Sequence, residues 1–260
     1  MQDSSLFAVL YEDEDCFVLN KPSGIHSVSL PKDDKVTLAS QLLKTHPPLA
    51  KASPKASDGG LLQRLDFETS GVILGAKSPE AWSKLHSALG AGQIEKSYLA
   101  LVDGAFPQQL ALDTWIGAPN RRAKKVKVFS EKPRQKDRAL PASSRLSLVQ
   151  YHASMDLSVI EVFAPTARRH QVRAHAAFSG HPLRGDSLYG SERELQTLSQ
   201  NLALPESQAA PQFLLHAEKI SFSHPRTGQR IKVQAARPEL LEALYRLGKI
   251  SAGGETSSTS

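Results

Sequence analysis

One cysteine in 260 residues excludes an internal disulfide and a thiolate-rich zinc site, which fits a reducing compartment. Cys16, between Asp15 and Phe17, reads as a packing residue rather than a nucleophile. No apolar run reaches the ~18 residues of a membrane span, and Met1 to Leu10 lacks a signal-peptide core. The chain is therefore expected to be cytoplasmic, with no membrane partner. It has no Gly-x-x-x-x-Gly-Lys phosphate loop and no Gly-x-Gly-x-x-Gly after a strand, so no nucleotide cofactor is expected. A Gly-x-Ser-x-Gly elbow is also missing, and there is no internal repeat. His170 and His175 are five apart and lack the i, i+4 spacing of a helical zinc pair, so no metal is expected either.

What is present is enough apolar residue, 40%, to fill a core, and a concentrated positive charge. Arg121 to Arg138 holds nine basic residues against Glu131 and Asp137, so this stretch alone exceeds the whole chain's net charge of +6. Such a concentration suits a polyanion, because each neutralised phosphate releases counterions; a solvated loop without a partner is the plain alternative.

Phe7 to Leu10 and Cys16 to Asn20 read as two strands joined by a tight turn, and Lys21-Pro-Ser-Gly24 stops the second. Thr37 caps a short helix to Lys44, and 46–60 reads as a flexible loop. Leu61, Leu62 and Leu65 are apolar enough to begin a buried strand. A helix follows from Ser78-Pro79-Glu80, with Trp82, Leu85 and Leu89 as its apolar face. Strands are expected at Lys96–Val102, Arg145–Tyr151, Leu157–Phe163 and Phe213–Ala217, and as a hairpin of Lys219–Phe222 with Arg230–Ala235. Between them, 119–141 is a basic insertion, Thr166 to Gly180 reads as a helix on which Arg169 and Arg173 share a face, and Ser191 to Gln212 is polar. A last helix covers Pro238 to Leu247, and 251–260 reads as a disordered tail. One α+β domain over 1–250, on a mixed and mostly antiparallel sheet flanked by helices and loops, is the expected architecture.

Arg64 and Asp66 fall where the chain turns between apolar runs, a usual place for chemistry. Asp66 with Glu68 could serve as a glycosidase carboxylate pair, but nothing else in the chain supports a sugar cleft. Asn20-Lys-Pro-Ser-Gly24, Arg64-Leu-Asp-Phe-Glu-Thr-Ser-Gly71, Lys96-Ser-Tyr-Leu-Ala100, His170-Gln-Val-Arg-Ala-His175, Gly180-His-Pro182 with Gly185-Asp186, Leu215-His-Ala217 and His224-Pro225 resemble, in order and spacing, the RluA-type pseudouridine synthases. The match runs over residues 7 to 238.

The resemblance implies an isomerase that converts uridine to pseudouridine in a structured ribosomal or transfer RNA, as a monomer with no metal or organic cofactor. It implies that Asp66 is the catalytic carboxylate, that Tyr98 stacks on the target base and that Arg173 pairs with Asp66. Arg64 would hold the flipped conformation, and Leu215 would line the uracil pocket. The chemistry agrees: rejoining a base through carbon needs a group that abstracts a proton or bonds covalently. An aromatic face offsets part of the cost of unstacking a base. Arg121, Arg122, Lys124, Lys125 and Lys127 are expected to follow the RNA backbone, a reading that rests on charge.

Two departures stand out. Gln63 replaces the family's usual His before Arg-Leu-Asp, and Thr166-Ala-Arg-Arg169 replaces its usual Thr-Gly-Arg-Thr. Strand-like sequence from Phe7 onward leaves no evident S4-like domain, so the catalytic domain is expected to hold RNA itself. The rival class is a non-catalytic RNA-binding protein on the same scaffold.

Overall fold

The computed structural model describes residues 7–29, 35–118, 120, 123–202, 204 and 211–253, with side chains to 247. Strands β1 (Ala8–Glu12) and β2 (Cys16–Lys21) pair antiparallel across a turn where Asp13 Oδ1 accepts the N–H groups of Asp15 and Cys16. Helix α1 (Leu38–Thr45) opens with a capping box between Thr37 and Ser40. Residues 46–60 contain two 3-10 turns and bury Leu49 and Ala52. Then come β3 (Ser70–Ala76), α2 (Pro79–Gly90), β4 (Glu95–Asp103), β5 (Gln109–Gly117), β6 (Lys127–Phe129), β7 (Leu140–His152), β8 (Leu157–Phe163) and α3 (Gln171–Phe178). The chain continues through α4 (Leu195–Asn201), β9 (Leu215–Ser223), β10 (Arg230–Gln234) and α5 (Glu239–Gly253).

The ten strands described form one sheet in the order β1-β2-β3-β9-β4-β8-β7-β5-β6, with β10 paired to β9. Every pairing is antiparallel except β3 with β9, which meet at Ser70–Gly71 and His216–Ala217. The fold is thus an α+β domain on a mixed, mostly antiparallel sheet, as expected. Alternation in β4 sets the layers: Ala100 and Val102 pack with Val172 and Ala176 of α3, and Leu99 and Leu101 pack with Leu198 of α4 and Leu241 and Leu244 of α5 on the other face.

Several boundaries differ from the sequence reading. Leu61 to Leu65 is not a strand. Leu61 makes a single bridge to Gly75, and both backbone groups of Leu65 are satisfied by the Ser27 hydroxyl instead of a ladder. The helix read as Thr166 to Gly180 starts only at Gln171, because His170 is left-handed (φ +54°) and Thr166 is tied to Ser143 of β7. Arg169 therefore precedes the helix and shares no face with Arg173. The basic stretch contributes β6, which pairs with β5; the polar stretch carries α4, anchored by Leu195 and Leu198; and the two strands expected at Phe213–Ala217 and Lys219–Phe222 are one, β9, which starts only at Leu215. Helix α5 extends to Gly253, past the start of the expected tail, and 254–260 lie outside the described residues.

Candidate active site

Asp66 stands in an irregular segment whose shape comes from the Lys-Pro-Ser-Gly turn beside it. The Lys21 ammonium, fully buried, donates to the carbonyls of Pro22 and Ile25 at 2.8 Å and to that of Phe67 at 3.3 Å. Gly24 N–H also donates to Phe67 O, and Ser23 Oγ to Glu68 O. Burial pulls the Lys21 pKa down to about 8, against the opposing pull of Asp66 and Glu68. A buried cation with carbonyl partners on both segments fixes the backbone on which Asp66 is carried.

The Asp66 carboxylate reaches the Arg173 Nη1 at 3.4 Å, and the His170 Nε2 lies 4.0 Å from its other oxygen. Arg173 projects from α3 and is locked from behind by Asp186, which accepts from Nε at 2.7 Å and Nη2 at 2.9 Å. Its guanidinium lies 4.4 Å from the Phe213 ring centroid and 5.1 Å from that of Tyr189. Burial opposes the charge on Arg173, but the hydrogen bonds and charge of Asp186 outweigh it and raise its pKa. One Nη is thus left to face Asp66.

These groups line an open cleft of about 560 Å³ between the Asp66 segment, the start of β4 and the N-terminal end of α3. Tyr98 of β4 contributes a half-buried ring, its hydroxyl pushed up to about 12 by burial and by Asp66. Leu215 and Val172 are part of its apolar lining, and exposed Arg64 stands at its edge with no hydrogen bond or ion pair among the described residues. The sequence-predicted Asp66, Tyr98, Arg173, Arg64 and Leu215 therefore converge on one cleft. His170 is held by the Tyr189 hydroxyl at 3.0 Å, and burial lowers its pKa.

A model of the RNA pseudouridylate synthase family matches residues 15–178. The chain belongs to this family. Among the family's curated members, the ribosomal large subunit pseudouridine synthase D of Neisseria meningitidis serogroup A is 31% identical over 253 residues, 96% of this chain and 63% of that protein. The synthase D of Xanthomonas campestris is 32% identical over 236 residues, 91% of this chain and 67% of that protein. The chain thus spans under two thirds of the Neisseria relative's length. Human RNA pseudouridylate synthase domain containing 4 shares the fold, with a TM-score of 0.66 at 22% identity over 92% of both chains.

In this member of the RNA pseudouridylate synthase family, the basic segment abuts the cleft. Val126 N–H donates to the Tyr189 hydroxyl, the Lys125 ammonium lies 5.0 Å over the Tyr189 ring, and Arg169 donates to Ala123 O. Lys124, Lys125 and Lys127 are exposed; Arg121 and Arg122 lie outside the described residues. Sequence reasoning gave no role to Asp186, Tyr189, Phe213 or His170. Gly185-Asp186 was visible as a motif, but nothing local tied it to Arg173.

One cluster of metal-ligand type occurs among the described residues, Asp13, Cys16 and His224. It is closed by its own hydrogen bonds. His224 Nδ1 accepts the N–H groups of Arg226 and Thr227, so Nε2 carries the proton and donates to Asp13 at 2.9 Å. Burial and Asp13 push the Cys16 thiol up to about 12, far from a ligating thiolate.

Proposed function

We propose that this chain isomerises uridine to pseudouridine in structured RNA, with Asp66 as the catalytic carboxylate. The observation that carries the reading is an accessible carboxylate facing an arginine that Asp186 holds from behind, in a cleft floored by the Tyr98 ring. The reaction breaks the C1′–N1 bond, forms a C1′–C5 bond, takes a proton from C5 and returns one to N1. Asp66 can bond to the substrate or accept the C5 proton. Arg173, unable to leave Asp186, keeps the carboxylate oriented, and Tyr98 receives the extruded base, with Leu215 against its edge. Arg64 at the cleft edge helps hold the flipped conformation. The names of the curated relatives make large-subunit ribosomal RNA the first substrate to test. Loss of tritium from C5-labelled uridine in an unmodified transcript of that RNA measures turnover directly. Binding without turnover would favour the rival reading, an RNA-binding protein on the same scaffold.

The role given to Tyr98 has its own test. Tyr98→Phe keeps the ring and is expected to hold RNA affinity near the parent value, whereas Tyr98→Ala should weaken it by ~1 to 3 kcal/mol, the worth of one base-aromatic stack. Equal affinities for the two variants would remove stacking from its role.

The basic segment supports backbone contact by its charge and by its seat against Tyr189. Neutralising Lys124, Lys125 and Lys127 together should weaken binding to RNAs of different sequence alike. The slope of log affinity against log salt should flatten by about 0.7 to 0.9 for each phosphate that the variant no longer neutralises. A triple variant with the parent slope would take the segment off the RNA surface.

A further inference from the structure

We propose that Lys96 and Arg168 form a phosphate subsite in the cleft, one that takes the phosphodiester beside the target nucleotide. The inference rests on the RNA-modifying reading of the same cleft. Lys96 is only 3% exposed, yet its ammonium makes no hydrogen bond or ion pair among the described residues. It lines the cleft together with Arg168, whose Nε donates to Pro141 O and which brings a second cation rather than a counter-ion. An unpaired buried ammonium is costly, and a like charge beside it adds to the cost. Burial, with Arg168 second, pulls the Lys96 pKa down to about 8. By contrast, Lys21, buried to a similar degree, is satisfied by three carbonyls. The difference marks Lys96 as a group held ready for an anion from outside.

Position identifies the anion. Lys96 and Tyr98 are two residues apart on β4 and so share a face, about 7 Å from each other along the strand. A nucleotide whose base lies on the Tyr98 ring has its sugar-phosphate backbone at that kind of reach. A phosphodiester supplies one negative charge and several acceptor oxygens, matching an ammonium beside a guanidinium.

The test uses the full chain and an unmodified transcript of large-subunit ribosomal RNA, with affinity measured at several salt concentrations. Lys96→Met keeps the apolar stem and removes the charge. RNA affinity is expected to fall about tenfold, with the salt slope flatter by about 0.7 to 0.9. The melting temperature should rise by about 2 to 4 °C, because the variant no longer buries an unpaired charge. A merely structural lysine would give the reverse, a lower melting temperature at parental affinity, and that result would overturn the proposal. Should Lys96→Met not fold, Arg168→Gln, on a half-exposed side chain, reads the same subsite: a flatter slope upholds it and the parent slope overturns it. Turnover by the parent with unchanged binding in the variants sinks the subsite alone. Weakened binding in the variants with no turnover by the parent sinks the isomerase reading and leaves the subsite standing.

Discussion

Asp66→Asn is expected to lower turnover by at least about 10³-fold while RNA affinity stays within about tenfold of the parent. The substitution keeps the shape of the side chain and removes the charge that, in the proposed reaction, accepts a proton or bonds to the substrate. The architecture around it should survive, because Arg173 keeps its two hydrogen bonds to Asp186 and the Asp66 segment keeps its ties to Lys21, Gly24 and Ser27. The melting temperature is therefore a control: it should move by no more than about 2 °C, the shift of a perturbation well under 1 kcal/mol. Tritium release near the parent rate from a preparation of this variant would remove Asp66 from the chemistry.

Asp186→Ala carries the largest expected cost to the fold. Asp186 is 2% exposed, and it is the two-pronged partner of a guanidinium that is itself buried. Deleting one side of a buried ion pair typically costs about 3 to 5 kcal/mol, because the remaining charge is left uncompensated. For a chain of this length that is a fall in melting temperature of about 10 °C. Turnover should fall as well, since Arg173 loses the partner that aims its Nη1 at Asp66. The double variant Asp186→Ala, Arg173→Met separates the two effects. It should regain much of the stability, having no orphaned charge, and none of the activity. A single variant that melts with the parent would mean that Asp186 does not anchor Arg173.

How much of this was legible in the sequence depends on how local each feature is. The strand at Lys96–Val102 was legible together with its faces, because period two alone puts Tyr98, Ala100 and Val102 on one side and Leu99 and Leu101 on the other. The caps of α1 and α2 were legible because Thr37 and Ser78 act within three residues of themselves. The start of α3 was not. The run from Thr166 has helical composition, but Thr166 is drawn to Ser143, 23 residues away, and His170 turns left-handed where the helix was expected to be under way. Asp186 was missed for the same reason. Its meeting with Arg173 depends on a turn at Gly185, where a Cβ would lie 1.7 Å from the carbonyl oxygen of Gln212. The approach of Tyr189 and Phe213 to the guanidinium is likewise a product of tertiary packing.

The single parallel pairing of the sheet bears on when the cleft can exist at all. At that crossing Gly71 lies so close to β9 that a Cβ would sit 2.1 Å from the Ala217 oxygen, and Ser70 bonds His216 across 146 residues of chain. Closing so long a loop costs chain entropy before any contact offsets it, so pairings of this kind form late in folding. Phe213 and Leu215 come from the same late part of the chain and supply the cleft with a ring against Arg173 and part of its apolar wall. No fragment that stops short of residue 213 contains a whole site. During synthesis the Asp66 segment emerges early and waits, without that part of its wall, for roughly the last fifth of the chain, so the complete cleft exists only once β9 is in place.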